Sequence, residues 1–352
     1  MKWGVIASII ALVFGANARA QLAPTAPTPI SSAASALAPT PIPISKPTTR
    51  PAPKRKPKPL VALPNYDEET STRLQIFLDN NNFGPGKIDG KMGEFFRKAL
   101  VNYKIAHGIP PTGAVDRFLA EVPTPFTTYT IKPEDEKFVG PAPNKPSEQS
   151  KLTALLYGSL LEFVAERFHS AEEYVQKLNP GRDLEKLKAG DTVTVPNVIP
   201  FEVEKLKEGF VPPNPAFVDR RIIIDTVERT LEIREKNTLI YEFPITPGST
   251  KLPAPKGIWK ILGIATLPWF RHDEGVLNFG VRTDDYFNLP PGPNNPVGIL
   301  WMGLNKPGIG IHGTNNPETI GRAGSHGCIR TANWDAAKIK DLVTVGNVVG
   351  IY

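Results

Sequence analysis

The stretch Ile309-Gly310-Ile311-His312-Gly313-Thr314, followed by Ile320-Gly321-Arg322 and Ser325-His326-Gly327-Cys328-Ile329-Arg330, holds the only cysteine of the 352-residue chain, with two histidines just ahead of it. A cysteine attacks a carbonyl as its thiolate, so it needs a base or a positive partner, and donors for the developing oxyanion. His312 and His326 supply candidate bases. Gly327, directly before Cys328, leaves room for a substrate carbonyl to approach backbone amides. On chemistry alone the stretch reads as a Cys/His acyl-transfer site. A zinc site from His312, His326 and Cys328 matches no common ligand spacing, and Glu318 is the one acid between them. Gly308, Gly310 and Gly313 spell G-x-G-x-x-G, but Asn315-Asn316-Pro317 forbids the helix that a dinucleotide site would open. Neither a metal nor a cofactor is expected.

Around this stretch the pattern is one of strands. Ile222, Ile224 and Thr226 alternate, then Leu231 and Ile233; Glu235-Lys236-Asn237 reads as a turn, and Thr238 to Ile245 returns. Further strands are expected at Gly257 to Leu262, Ile299 to Leu304 and Val348 to Tyr352, with one helix from Trp334 to Leu342. Residues 220–352 therefore form a mainly β domain large enough to bury its own core.

The run H-G-T, then I-G-R, then S-H-G-C-I-R resembles the catalytic signature of the L,D-transpeptidase family, also called YkuD-like. Thr246-Pro247-Gly248, Ala254-Pro255-Lys256-Gly257 and the closing Asp335 and Val345 to Val349 extend that resemblance over the domain. It implies an L,D-transpeptidase-like β-sandwich with Cys328 as nucleophile and His312 as its base, oriented by the Gly313 carbonyl. By the same resemblance His326 and Ser325 shape the site near the thiol, and the amides of Gly327 and Cys328 form the oxyanion hole. Arg330 then supports a substrate carboxylate or the oxyanion. Trp301 is a cleft-wall candidate for substrate binding. The implied substrate is a peptidoglycan stem peptide, cut before its terminal D-alanine and passed as a thioester to an amine on a second stem or an envelope protein. Water as acceptor would give a carboxypeptidase, and a dead site would give a wall-binding scaffold.

Upstream, residues 65–123 carry helical periodicity, with Leu74, Phe77 and Leu78, then Phe95, Phe96, Ala99, Leu100 and Tyr103. Gly86-Lys87-Ile88-Asp89-Gly90 between them resembles the core of a peptidoglycan-binding module. His107 reads as a surface or cap residue. Residues 129–198 read as strand, two helices and strand, with Leu160, Phe163, Val164 and Phe168 on one helix face and Ser170 capping the next helix. Asn179-Pro180 and Leu187 to Pro196 resemble a LysM module, here with an insertion after its first strand. The expected whole is a multidomain chain: a small helical domain, a small α+β domain and the β-rich catalytic domain.

The first residues place Lys2 before an apolar run from Val5 to Phe14 and an Ala18-Arg19-Ala20 site, the pattern of a signal peptide over 1–20. The apolar run is shorter than the roughly 20 residues of a membrane-spanning helix, so no span is expected after cleavage. Residues 21–64 hold twelve prolines and six Lys or Arg with no acid, the composition of a semi-rigid basic spacer. The formal charge of +6 thus belongs to the leader and spacer, and the remainder is about −2. That distribution suits a polyanionic envelope rather than a nucleic acid; the signal peptide and the family resemblance imply the periplasm or cell wall.

Overall fold

The computed structural model describes residues 61–279, 281–322, 324 and 327–352. The signal peptide, most of the spacer, Ser325 and His326 lie outside the described residues. Within residues 47–352 the described chain forms one compact unit. Among the described residues no helix is long and apolar enough to cross a membrane.

Three helices come first: α1 (Glu68–Asn80), α2 (Glu94–Ala106) and α3 (Asp116–Ala120). Asp67 caps α1 by accepting from the Thr70 amide at 2.7 Å. Leu74, Phe77, Phe96, Leu100 and Phe118 are buried between the helices, as an apolar stripe at helical spacing requires. His107 ends α2, its Nδ1 2.8 Å from the Tyr103 carbonyl.

Then follow β1 (Phe126–Thr130), α4 (Pro146–Gln149), α5 (Leu160–Arg167), α6 (Glu172–Leu178), β2 (Thr192–Pro196) and the short β3 (Gly209–Phe210). β1 and β2 pair antiparallel. Asn179 ties the end of α6 to β2: its amide donates to the Val175 and Thr194 carbonyls, and its oxygen accepts from the Thr194 amide, each at 2.8 Å. Ser170 does not cap α6, which starts after Ala171 without a side-chain cap. Its hydroxyl instead donates to the Ile88 carbonyl at 2.8 Å, satisfying a backbone group of the first helical segment.

The remainder contains β4 (Arg220–Asp225), β5 (Thr230–Glu235), β6 (Thr238–Pro244), β7 (Gly257–Thr266), β8 (Phe270–His272), α7 (Glu274–Phe279), β9 (Phe287–Leu289), β10 (Leu300–Leu304), β11 (Gly310–His312), β12 (Ile329–Arg330), α8 (Asn333–Lys340) and β13 (Val348–Ile351). Among the described residues the main sheet runs β12-β11-β10-β7-β13-β4-β5-β6, with β3 beside β7. β7 serves three neighbours: its first half pairs β13, its second half β10, and its last residues also β3. Thr246, just past β6, exchanges backbone hydrogen bonds of 2.8 and 2.9 Å with Arg330 in β12. The two ends of the strand order therefore meet and the sheet rolls around a core of Ile222, Ile224, Leu231, Ile233, Phe243, Ile261, Val349 and Ile351, all at most 1% exposed. The mainly β expectation for this domain holds. Lys236 and Asn237 both take positive φ, as a two-residue primed hairpin turn needs. The run from Arg221 to Arg234 is broken by a second turn, where Asp225 accepts from the Val227 and Glu228 amides.

The helical segment seals the β6 edge. The Gly84 amide donates to the Glu242 carbonyl at 2.7 Å, the Glu242 amide donates to the Asn82 carbonyl at 3.0 Å, and Asn102 donates to both Glu242 carboxylate oxygens. An edge strand otherwise presents a row of unpaired groups.

Candidate active site

β10, β11 and β12 lie side by side, and alternation along each strand sorts their residues between two faces. Leu300, Met302, Ile311 and Ile329 are fully buried on the inner face. On the other face Trp301 stands directly opposite His312, and His312 opposite Arg330. Cys328 precedes Ile329 and so shares the face of Arg330, beside Gly310. A strand spacing of ~4.8 Å and a two-residue offset of ~6.6 Å put the His312 and Cys328 backbones about 8 Å apart. That distance is one their side chains can bridge.

The Trp301 indole stacks on the His312 ring, with centroids 5.5 Å apart and planes 21° from parallel. It also lies over Gly310, where a Cβ would come within 2.7 Å of the indole. The absence of a side chain at 310 thus lets Trp301 reach the imidazole. Nδ1 of His312 is 2.6 Å from the Gly313 carbonyl. A carbonyl only accepts, so Nδ1 carries the hydrogen and Nε2 is left as the basic nitrogen.

The Gly313 backbone is itself clamped. The Asn333 side-chain oxygen accepts from the Ile299 and Thr314 amides, both at 3.2 Å. A Cβ at Gly298 or Gly313 would collide with that oxygen. The Asn333 amide nitrogen donates to the Pro293 carbonyl at 3.1 Å and to Oε1 of Glu166 at 2.8 Å. Neither Asn333 nor Glu166 stands out in the sequence reading. The available signals were Glu166 three residues after Phe163 on the apolar stripe of α5, and an asparagine three residues after Arg330.

Gly327 takes φ +104°, a region that favours glycine. Arg330 donates from Nη2 to the Gly324 carbonyl at 2.6 Å. The Cys328 thiol is half-buried and lies 3.5 Å from the Gly308 carbonyl, a contact in which the S–H donates.

Burial pushes the His312 imidazole down to about 4; the Gly313 hydrogen bond opposes this and the Arg330 charge adds to it. Burial also raises the Cys328 thiol, against a backbone contact from Gly310 and the charge of Arg330. Burial thus favours the neutral form of both side chains. Alkylation of Cys328 by iodoacetamide is expected to climb steadily from pH 6 to 9. A plateau below pH 7 would instead reveal a preformed thiolate–imidazolium pair.

Residues 219–351 match the YkuD family model, described as the L,D-transpeptidase catalytic domain. A Bacillus licheniformis protein assigned as L,D-transpeptidase YkuD is 29% identical over 194 residues, spanning 55% of this chain and 94% of the relative. That span exceeds the matched domain, so the likeness continues upstream of residue 219. An Escherichia coli protein assigned as L,D-transpeptidase YbiS is 25% identical over 230 residues, 63% of this chain and 67% of the relative. Among solved structures, an L,D-transpeptidase from Mycobacterium smegmatis is 16% identical with a TM-score of 0.31, covering 49% of this chain and 80% of that chain. At that score the superposition carries no argument of its own. The family match thus covers residues 219–351, and what that part of the chain is similar to is an L,D-transpeptidase catalytic domain of the YkuD family.

Proposed function

We propose that the chain is an exported, cysteine-dependent L,D-transpeptidase acting on peptidoglycan stem peptides. The observation that supports it best is the row Trp301–His312–Arg330 with Cys328 on the same face, and His312 held by the Gly313 carbonyl so that Nε2 is free to act as base. As the Cys328 sulfur bonds to the carbonyl carbon between the third-position diamino acid and the terminal D-alanine, its proton passes to Nε2 of His312. The amides of Gly327 and Cys328 receive the oxyanion. The C–N bond then breaks, and the imidazolium returns its proton to the departing D-alanine amine. An amine on a second stem or on an envelope protein opens the thioester. Arg330 and Trp301 hold the donor stem, while Ser325 and His326 shape the pocket around the thiol.

In the same reading residues 1–20 direct export to the periplasm or cell wall, and 21–64 provide a basic spacer. Residues 65–123 and 129–198 hold the enzyme on the wall, raising local substrate concentration. Incubating the purified protein with isolated muropeptides and following the products by mass spectrometry tests the reading. Loss of D-alanine with a 3→3 dimer supports transfer; a tripeptide alone would make the chain a hydrolase of the same fold. No product and no acyl adduct with a carbapenem would leave only a wall-binding scaffold.

A further inference from the structure

We infer that Glu166, in the segment upstream of the catalytic domain, is a positioning residue for His312, acting through Asn333. The inference rests on His312 and Cys328 being the reacting pair.

Asn333 is fully buried and uses all its hydrogen-bonding capacity. Its oxygen faces two backbone donors, which leaves no choice of amide orientation, so the nitrogen must find two acceptors. Pro293 supplies one and Glu166 the other. The two amides gripped by the oxygen belong to Ile299 and Thr314. Ile299 leads into the strand that carries Trp301. Thr314 follows Gly313, whose carbonyl holds Nδ1 of His312. One amide group thus sets the spacing between the loop that orients the base and the strand that stacks on it.

Glu166 is in turn fixed by the Tyr157 hydroxyl, which donates to the same Oε1 at 3.0 Å. The adjacent Arg167 is engaged elsewhere, in a two-pronged pair with Glu204 at 3.0 and 2.7 Å. Neither hydrogen-bond partner of Glu166 among the described residues is charged. Burial pushes its carboxyl up to about 8; the Asn333 and Tyr157 hydrogen bonds oppose the rise and the nearby Glu162 charge adds to it. Burial thus favours the neutral acid, and an amide of the same shape keeps an oxygen that accepts from Asn333 and Tyr157. The chain Tyr157–Glu166–Asn333–Thr314 therefore runs from the α+β segment to the residue that follows Gly313, the holder of the base.

The test compares Glu166→Gln, Glu166→Ala and Tyr157→Phe in the full chain. It measures acylation of Cys328 by a carbapenem, kcat and KM on a tetrapeptide muropeptide, and the melting temperature. Glu166→Ala is expected to fold and to lose roughly 10- to 100-fold in kcat with KM within about twofold, since small displacements of a reacting group cost rate at that scale. Glu166→Gln is expected to restore kcat to within about threefold of the parent. A folded Glu166→Ala with the parent's kcat overturns the inference, as does a Gln variant no better than Ala. Should Glu166→Ala not fold, Tyr157→Phe decides, because it removes only the hydroxyl that fixes the carboxyl. A loss of about two- to fivefold in kcat is expected, and none overturns the inference. If the parent protein is never acylated, the reading of His312 and Cys328 as the reacting pair fails first, and the inference falls with it.

Discussion

Cys328→Ala is expected to abolish acyl-enzyme formation and to lower stem-peptide turnover by about four orders of magnitude or more, the scale seen when a covalent nucleophile is removed. The chain contains no second thiol to take over. The sulfur is half-buried and alanine removes a single atom from the side chain, so only a small gap is left and the fold should stand. Intact-mass spectrometry after carbapenem exposure checks this directly. An adduct on the alanine variant, or turnover within tenfold of the parent, would mean that another group attacks. His312→Gln should lose most of the rate as well, because Nε2 is the base that remains once Nδ1 is committed to Gly313. The two losses should not add, since both residues serve one step.

Why the proposed row could be picked out from sequence while its supporting partners could not is a matter of range. His312, Gly313, Gly327, Cys328 and Arg330 fall within nineteen residues, in or directly beside two adjacent parallel strands, so local spacing groups them. Ile222 and Ile224, or Leu231 and Ile233, announce their strands by period-two alternation. The turn at residues 226–229 is quieter: its signal is one aspartate accepting two amides, inside a run that otherwise looks continuous. Ser170 has the composition of a helix cap but is 2.8 Å from a carbonyl eighty-two residues away. Trp269 has the composition of a core residue but is 58% exposed. Glu166 and Asn333 are 167 residues apart, and nothing local marks them as a pair. Buried polar partners across long separations have no periodicity, so they emerge only once the fold brings them together.

The same kind of partnership predicts that the upstream segments and the catalytic domain stand or fall together. Asp79 at the end of α1 is fully buried, and its Oδ2 meets His169 Nδ1 at 2.9 Å and Lys338 Nζ of α8 at 2.7 Å. Lys338 also donates to the Asp79 carbonyl at 2.8 Å. Burial alone would raise the Asp79 carboxyl, but His169 and Lys338 outweigh it and hold the group below its ordinary value. Lys338→Met strips the cation from a buried carboxylate, a change that costs about 3–5 kcal/mol when the partner charge stays behind. For a chain of this size that is a fall in melting temperature on the order of 10 °C. Replacing both members, as Asp79→Leu with Lys338→Met, should recover much of the loss, because an apolar pair removes the stranded charge. Differential scanning calorimetry of the parent, single and double variants decides. A single variant melting within about 2 °C of the parent would show that the ion pair does not join the segments. A fragment beginning at residue 219 would strand more than Lys338: it would also take Asn102 from Glu242 and Glu166 from Asn333. Such a fragment is expected to be insoluble or unfolded.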